Sequence, residues 1–427
     1  MEIYIVQEGD TLQSIAEAYG VSEYLIAVTN EINRLESLVV GQTIVILIPE
    51  VVYTIQEGDT ISEIASTYGI TVNRIYQNNP QLIGNAENLM VGDDVVIKYQ
   101  TEPIDTVSIY GYVYPYVDRN VLRKTLPYIT YLSIFVYGFL EDGSLIEVDD
   151  EEIIEIARSY GTGALMTISA MTSSGVFSNE LANLLFQSQD LQEILINNIL
   201  EAVRRKGFAG VDLDFEYIYA SDREKYIQFA ARLRRRLEEI GGVLFVDLAP
   251  KVSADQQGLL YEGHDYRGLG NAVDYVLLMT YEWGYTYGPP MAVSPINNVK
   301  RVLNYGITEI LPSKIFMGFS NYGYDWPLPF EKGVTAARTI GNVEAVNQAR
   351  DYGAIIFYNE EAQAPYYTYI ASDGIEHIVY FEDARSVNAR LNLIPVYELQ
   401  GPGYWNLMKY FPQNWLIASQ LFVINKL

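Results

Sequence analysis

The sequence of 427 residues predicts an α/β protein: a (β/α)₈ barrel with a small α+β insertion, preceded by two βααβ modules. Three observations predict this architecture. Residues 1–98 contain an internal repeat, and apolar strands alternate with amphipathic helices from Asp105 onward. A mostly apolar strand near the middle of the chain also carries three carboxylates. A chain of this length can hold a barrel together with smaller modules.

The repeat joins two closely similar segments. Residues 4–12 (YIVQEGDTL) recur as residues 53–61 (YTIQEGDTI). Each copy predicts a strand, a Gly-Asp turn and a helix whose apolar residues follow the i, i+3, i+4, i+7 spacing of one buried stripe. A second short helix and a closing strand complete each copy. The modules are therefore expected at residues 1–48 and 50–98.

These repeats resemble LysM modules, the βααβ units that bind glycans containing N-acetylglucosamine. The resemblance implies that a glycan is the partner of this part of the chain. The alternative is that the two modules are small folded caps on the barrel that bind no ligand. Only residues 49–50 join the two modules, and residues 100–105 join them to the barrel, so a semi-rigid arrangement is expected.

The barrel is expected over residues 101–427, with eight parallel strands and helices such as residues 151–160, 191–206 and 223–240 between them. The seventh connection is too long for one helix, so residues of about 332–381 predict an inserted α+β subdomain beside the cleft. The predicted strands lie near residues 107–112, 131–136, 164–168, 210–215, 244–248, 275–280, 315–319 and 403–405.

The fourth predicted strand carries Asp212, Asp214 and Glu216. Alternate residues of a strand share one face, so these three carboxylates are expected on the same side. Carboxylates in an otherwise apolar strand are costly to bury unless they share protons or do chemistry. The alternative is a row of carboxyl groups whose hydrogen bonds are all satisfied and which have no catalytic role. Glu216, at the open end, is the candidate general acid, and Asp212, the deepest, is expected to share a proton with Asp214.

Composition excludes several classes of function. The 54 acidic residues outnumber the 28 basic ones, and the net charge of −26 argues against nucleic acids and anionic membranes as partners. A neutral or mixed-charge polymer such as a glycan fits this charge. Without cysteine, and with only His264 and His377, the chain has no thiolate chemistry and predicts neither a metal site nor a cofactor. Acid–base chemistry is therefore left to carboxylates and tyrosines.

No apolar stretch approaches the length of a bilayer span, and the N-terminus lacks a basic region followed by an apolar core. The sequence therefore predicts no membrane association and no Sec signal peptide. A monomer is expected.

Four segments together resemble family-18 glycoside hydrolases, the chitinase group, whose fold is a TIM barrel. Residues 210–217 (GVDLDFEY) resemble the D-G-x-D-x-D-x-E signature of its fourth strand, and residues 278–283 (LMTYEW) resemble its M-x-Y-D segment after strand six. Residues 321–326 (NYGYDW) resemble the segment after strand seven, and residues 403–407 (GYWNL) resemble strand eight. They occur in the family's order and cover most of residues 105–427.

The resemblance implies a substrate-assisted mechanism, since Asp214 and Glu216 approach the sugar from one side and neither is placed as an opposing nucleophile. Glu216 would protonate the leaving oxygen while the 2-acetamido oxygen of the substrate attacks the anomeric carbon. Asp214 would orient the acetamido N–H, and Tyr281 would donate to its oxygen. Supporting roles are implied for Asp212, Met279 and Glu282, and substrate binding for Trp405, Tyr217, Trp283, Tyr322 and Trp326. Core packing is the alternative for Trp405.

The chain departs from the family pattern in three places. Ala209 stands where the signature begins with Asp, Glu282 replaces an Asp, and residues 165–169 lack the S-x-G-G of strand three. With paired LysM-like modules, this combination resembles the cortex-lytic N-acetylglucosaminidases of endospore-forming bacteria. A peptidoglycan hydrolase acting on spore cortex, located in the spore, is therefore expected. The alternatives are a LysM-tethered chitinase and a glycan-binding coat protein that uses its barrel as a lectin.

Overall fold

The computed structural model describes residues 1–84, 89–172 and 175–427. Each module forms a two-stranded antiparallel sheet with two helices between its strands. The first consists of β1 (Glu2–Ile5), α1 (Leu12–Tyr19), α2 (Glu23–Asn30) and β2 (Thr43–Ile46), and the second of β3 (Pro49–Thr54), α3 (Ile61–Tyr68), α4 (Val72–Asn78) and β4 (Asp94–Tyr99).

The repeated motif stabilises the turn before the first helix of each module. Tyr4 Oη donates to Asp10 Oδ2 at 2.7 Å, and Tyr53 Oη donates to Asp59 Oδ2 at the same distance. The Thr that follows each Asp caps the helix, with Thr11 Oγ1 accepting the N–H of Ser14. The conserved spacing of Tyr, Gly-Asp and Thr within the repeat therefore has a local structural cause.

The C-terminal part of the chain contains all remaining elements. Its strands are β5 (Asp105–Val107), β6 (Tyr110–Val113), β7 (Tyr131–Phe139), β8 (Leu145–Ile146), β9 (Gly163–Ile168), β10 (Gly210–Leu213), β11 (Val243–Leu248), β12 (Tyr275–Leu278), β13 (Ile315–Ser320), β14 (Gly323–Pro327), β15 (Arg338–Ile340), β16 (Phe357–Asn359), β17 (Ala364–Ile370), β18 (Glu376–Tyr380), β19 (Gly401–Trp405) and β20 (Phe422–Ile424). Its α-helices are α5 (Arg119–Thr125), α6 (Glu151–Ser159), α7 (Asn179–Gln187), α8 (Gln189–Lys206), α9 (Arg223–Glu238), α10 (Leu259–Glu262), α11 (Tyr266–Ala272), α12 (Ile296–Glu309), α13 (Asn342–Asp351), α14 (Ala384–Leu391), α15 (Leu393–Val396) and α16 (Pro412–Leu421).

Eight parallel strands close into a barrel in the order β6, β7, β9, β10, β11, β12, β13 and β19, with β19 pairing with β6. The predicted (β/α)₈ barrel is therefore confirmed. The barrel interior is largely aromatic: Tyr110, Tyr131, Phe245 and Phe316 pack against one another there. None of the helices in the three described ranges is long and apolar enough to cross a membrane.

Several strands differ from their predicted bounds, and three of these differences bear on the site or on the ends of the barrel. The predicted first strand divides, because β5 leaves the barrel and pairs with β20 at the C-terminus. Strands β10 and β12 each end two residues earlier than predicted, at Leu213 and Leu278. Asp214 and Glu216 therefore follow their strand rather than lying within it. The backbone N–H of Asp214 still donates to the carbonyl of Ile168 at 3.0 Å.

The insertion is a five-stranded antiparallel sheet in the order β15, β14, β18, β17, β16, with α13 packed on it. It begins at Gly323, before the expected start near residue 332, because β14 pairs with both β15 and β18. The segment 321–326 singled out by sequence therefore leads directly into the inserted sheet.

Helix α16 docks both modules onto the barrel. Gln413, near its start, donates from Nε2 to the carbonyl of Thr43 at 2.6 Å and accepts from Thr43 Oγ1 at 2.9 Å. Gln420, seven residues later, accepts from Thr101 Oγ1 at 2.5 Å, and Arg74 of α4 donates to the carbonyl of Ser419 at 2.6 Å. The modules also add residues to the main hydrophobic core of the barrel, namely Val45, Leu47, Val96 and Tyr99.

The two modules are covered differently at the Val-Gly turn before their closing strands. In the first module, Ile356 of the insertion donates its N–H to the carbonyl of Val40 at 2.9 Å, and a Cβ at Gly41 would lie 1.9 Å from the carbonyl oxygen of Ile356. A Cβ at Gly92 in the second module would meet no heavy atom within 4 Å. Val91, beside it, is 65% exposed.

We expect Gln413→Ala to lower the free energy of unfolding by about 1–3 kcal/mol, because it leaves the buried carbonyl of Thr43 without its donor and the Thr43 hydroxyl without its acceptor. Urea unfolding of the full chain measures the change, and Gln13→Ala, which truncates an exposed glutamine of α1, is the matched control. Equal unfolding free energies for the two variants would contradict the docking role of Gln413.

Candidate active site

A cleft of about 620 Å³ opens at the carboxyl ends of the barrel strands. Active sites of TIM barrels lie at this end, where loops of variable sequence follow the rigid strands. Most of the side chains that line the cleft are acidic or aromatic, and three are neither: Asp214, Glu216, Tyr217, Asp247, Pro250, Leu260, Tyr261, Met279, Tyr281, Glu282, Trp283, Tyr285 and Trp405.

Asp212 lies at the base of the carboxylate ladder and is fully buried. Its Oδ2 accepts from Tyr110 Oη at 2.6 Å and from Ser133 Oγ at 2.8 Å. Burial raises the pKa of Asp212 to about 6, although these hydroxyl donors act to lower it. Tyr110 lies on β6 and Ser133 on β7, the first two strands of the barrel. Their hydroxyls reach Asp212 on β10 because the barrel is closed.

Asp214 and Glu216 follow β10 and point into the cleft. Burial raises the pKa of Asp214 well above its usual range, and the neighbouring charges of Glu216 and Asp212 raise it further. Burial also raises the pKa of Glu216 to about 6, with a further contribution from the charge of Glu282. A carboxyl group with such a pKa holds a proton in weakly acidic solution, which is what a general acid requires.

The backbone that carries these two acids is fixed from both sides. His264 is fully buried; its Nδ1 accepts the N–H of Ala249 at 2.9 Å, and its Nε2 lies 3.0 Å from the carbonyl of Phe215. Ser169 Oγ donates to the carbonyl of Asp214 at 2.6 Å. Because Nδ1 accepts, His264 is neutral and Nε2 donates, and burial lowers its pKa to about 4. His264 is thus a structural residue that orients the acidic turn.

Phe215 alternates with the acids and points away from the cleft. Its ring stacks on Tyr226 of α9, with centroids 5.6 Å apart and planes at 7°. This packing outside the barrel fixes the direction of Asp214 and Glu216 inside it.

Glu282 stands in the cleft after β12. Its φ of 64° lies in the left-handed region that non-glycine residues seldom adopt. Its carboxylate accepts from the hydroxyl of Tyr322 and from that of Tyr324 at 3.0 Å. The extra methylene that distinguishes Glu from the family's Asp therefore reaches two tyrosines of the segment after β13, while its charge still acts on Glu216.

Tyr281 and Met279 complete the wall beside Glu282. Tyr281 is buried to 8% exposure, and its ring lies against Gly318, where an added Cβ would approach the ring to 2.8 Å. Burial raises the pKa of Tyr281 well above its usual range, so its hydroxyl remains a donor. Gly318 is needed here because only a residue without a side chain leaves room for the tyrosine.

The predicted aromatic residues separate into two groups. Trp405, Tyr217 and Trp283 line the cleft, and Trp405 is held edge-on by Tyr112 at 5.3 Å and by Phe135 at 5.1 Å between ring centroids. Trp405 therefore both packs on the barrel and presents surface to the cleft.

Tyr322 and Trp326 do not line the cleft. Tyr322 supports Glu282 through its hydroxyl. Trp326 is fully buried, with its indole N–H donating to the carbonyl of Gly288 at 2.9 Å and its ring against Tyr324. The expectation that Trp326 binds substrate does not fit this structure, because the strand pairing of β14 turns its side chain into the core between the barrel and the insertion.

Ala209 lies at the bottom of the barrel, packed with the aromatic cluster of the interior. Ala209 is only partly buried and does not line the cleft, so this departure from the signature lies outside the group of carboxylates that the cleft presents.

Sequence reasoning missed Asp247, a buried carboxylate of β11 that lines the cleft and accepts from Tyr112 Oη at 2.5 Å. The signal was present: residues 243–248 read VLFVDL, a strand with one acid among apolar residues. It was overlooked because a single acid carries no repeated spacing.

Known proteins share this architecture. Residues 108–409 match the family Glycosyl hydrolases family 18, and residues 4–47 and 53–98 each match the LysM domain. The Cortical fragment-lytic enzyme of Bacillus subtilis is 41% identical over 432 residues, covering 100% of this chain and 99% of the relative. The Bacillus anthracis protein of the same name is 36% identical over 438 residues, covering 100% and 99%.

Comparison with solved structures also finds a spore cortex-lytic enzyme among the similar proteins. The spore cortex-lytic enzyme SleL of Bacillus cereus gives a TM-score of 0.85 at 35% identity, covering 100% of this chain and 98% of that one. A chitinase from Chromobacterium violaceum gives a TM-score of 0.68 at 23% identity, covering 74% and 99%, which shows the fold alone. The chain therefore belongs to family 18 of the glycosyl hydrolases, with two LysM domains ahead of its barrel.

Proposed function

We propose that this protein hydrolyses N-acetylglucosaminyl bonds in spore-cortex peptidoglycan by substrate-assisted, retaining catalysis. The observation that carries the proposal is the position of Glu216, with its raised pKa of about 6, in one cleft with Asp214 and Tyr281. The LysM modules hold the glycan while the barrel cleaves it.

The first chemical step breaks the bond between the anomeric carbon and the glycosidic oxygen. Glu216 gives its proton to that oxygen, and the acetamido carbonyl oxygen of the substrate bonds to the anomeric carbon, which forms an oxazolinium ion. Glu282, a carboxylate on the cleft wall after β12, is engaged by the hydroxyls of Tyr322 and Tyr324 and is not free to act as nucleophile.

The second step restores the enzyme. The Glu216 carboxylate takes a proton from water as that water attacks the anomeric carbon and opens the oxazolinium ring, so the configuration is retained. Asp214 accepts the acetamido N–H and balances the positive charge of the intermediate, and Tyr281 donates to the acetamido oxygen. Trp405, Tyr217 and Trp283 supply apolar surface for sugar rings.

The choice of cortex rests on the relatives. Relatives that align with the whole chain are named for cortical fragments and spore cortex. Family 18 and LysM domains together imply peptidoglycan or another N-acetylglucosamine glycan as partner. We extend this to a location in the spore and to action as a monomer, which gel filtration with light scattering tests directly.

We expect Glu216→Gln to lower kcat by about 10²–10⁴-fold, because the amide keeps the shape of the side chain and has no acidic proton. Asp214→Asn should also lose most activity, since an amide no longer balances the charge of the intermediate. Initial rates on soluble cortex fragments measure both. Retention of more than about a tenth of kcat by Glu216→Gln would contradict its role as general acid.

We expect Glu282→Gln to move the alkaline limb of the pH profile of kcat/KM to lower pH. The negative charge of Glu282 raises the pKa of Glu216, so removing that charge lowers this pKa, and Glu216 then loses its proton at lower pH. Glu201→Gln, which removes one exposed acid of α8, is the control for net charge. A limb that stays in place or moves to higher pH would show that Glu282 does not act on the general acid.

A comparison of substrates tests both the proposed mechanism and the identity of the glycan that is cleaved. We expect release of reducing ends from purified cortex fragments to exceed that from chitin oligomers of equal length, and a thiazoline mimic of the oxazolinium to inhibit competitively. A cortex glycan whose N-acetyl groups have been removed should not be cleaved. Faster cleavage of chitin oligomers would favour a LysM-tethered chitinase, and efficient cleavage of the deacetylated glycan would overturn the substrate-assisted mechanism.

A further inference from the structure

Asp247 lies beside Asp214 on the neighbouring strand. The parallel register of β10 and β11 pairs Asp212 with Phe245 and ends with Leu213 and Val246, so Asp214 and Asp247 are the residues that directly follow the last pair. The charge of Asp214 acts on Asp247. Phe245 points into the barrel, and Asp247, two residues later, therefore points to the same side. Neighbouring strands are about 4.8 Å apart, which brings the two carboxyl groups within reach of a direct hydrogen bond.

Three carboxyl oxygens near this point are buried without a hydrogen-bond partner: Asp212 Oδ1, Asp214 Oδ1 and Asp247 Oδ1. An unpaired buried oxygen is costly. A carboxylic O–H on one group, donated to the oxygen of another, would satisfy two of the three at once.

The surroundings supply no cation for these carboxylates. Among residues 1–84, 89–172 and 175–427, no lysine, arginine or histidine forms an ion pair with Asp212, Asp214 or Asp247. The titratable groups that face Asp247 are all acidic or phenolic, namely Tyr110 and Tyr112 on β6, Asp212 on β10, Asp214 and Glu216 after it, Tyr226 on α9 and Tyr281 after β12. The three carboxyl groups therefore cannot all be ionised together.

The hydrogen bonds make Asp212 the group least suited to hold the proton. Asp212 Oδ2 receives two hydroxyl donors, Tyr110 and Ser133, and both favour its ionised form. Among the described residues no donor reaches the Asp214 carboxyl group, but the proposed function requires Asp214 in its ionised form to accept the acetamido N–H. The proton is therefore assigned to Asp247, which receives one donor, Tyr112, on Oδ2 and has Oδ1 free to bear it. Burial and the charges of Asp212 and Asp214 raise the pKa of Asp247 well above its usual range.

We propose that Asp247 is a positioning residue for the hydrolysis: it carries a proton on Oδ1 and donates it in a hydrogen bond to Asp214 Oδ1. This proposal rests on the proposed function. The bond holds Asp214 ionised and oriented, with its second oxygen left for the acetamido N–H of the substrate. Asp214 then shares a proton with Asp247 of the neighbouring strand, in addition to the sharing with Asp212 that the sequence predicts.

Asp247→Asn and Asp247→Ala test the proposal in the full-length protein, with soluble cortex fragments as substrate. Asn is neutral and keeps an N–H donor, so we expect it to retain at least about a third of kcat and an unmoved alkaline limb of the pH profile. Ala removes the donor, and we expect kcat to fall about 10- to 100-fold while KM changes less than about threefold, because Asp214 loses its orientation. Asp325→Asn, which alters a buried carboxylate of the insertion, is the control for stability.

Three outcomes would overturn the proposal: wild-type kcat in Asp247→Ala, equal losses in the two variants, or an alkaline limb of Asp247→Asn that moves to lower pH, which would mean that Asp247 is ionised. If the Ala variant does not fold by urea titration, the rate and pH profile of Asp247→Asn decide alone. An active Glu216→Gln variant measured alongside would instead refute the proposed function, so the two failures are distinguishable.

Discussion

The rest of the site depends on one constraint: several carboxyl groups are buried inside one barrel, and no residue in the described part of the chain forms an ion pair with them. The barrel meets it with hydroxyl donors from its first strands, Tyr110 and Tyr112 from β6 and Ser133 from β7. These donors reach the acids only because β6 closes the barrel beside β19. Closure of the barrel therefore sets the proton affinity of the buried acids. At the mouth, burial and the charge of Glu282 raise the pKa of Glu216.

The domain arrangement follows from buried amides rather than from linkers. Helix α16 presents Gln413 to the first module and Gln420 to the linker that follows the second, and both side chains are buried. Apolar residues of both closing strands join the barrel core. The modules are therefore not flexibly tethered: their contacts with α16 and with the barrel core fix their orientation relative to the cleft.

Local patterns predicted a large part of the molecule, and long-range contacts account for what they missed. The internal repeat, the barrel strands and the pair Asp214 and Glu216 follow from periodicity and spacing, which are properties of neighbouring residues. The role of His264, the burial of Trp326 and the placement of Asp247 depend on contacts with residues 38 to 135 positions away in the sequence, for example His264 with Phe215. Contacts between such distant residues produce no regular spacing that could be recognised in a single sequence. The early start of the insertion at Gly323 has the same origin, since β14 is defined by its partner β18.

The Val-Gly turns show how a duplicated module comes to be constrained by its neighbours. Both glycines adopt positive φ, 84° at Gly41 and 96° at Gly92, so each is favoured by backbone conformation. At Gly41 the insertion also occupies the space that a side chain would need, whereas Gly92 faces open space. Asn, which tolerates this conformation, could replace the second glycine but not the first. The two repeats therefore accept different substitutions at the same turn. The loop that contains Ile356, more than 300 residues from Gly41 in the sequence, imposes this difference.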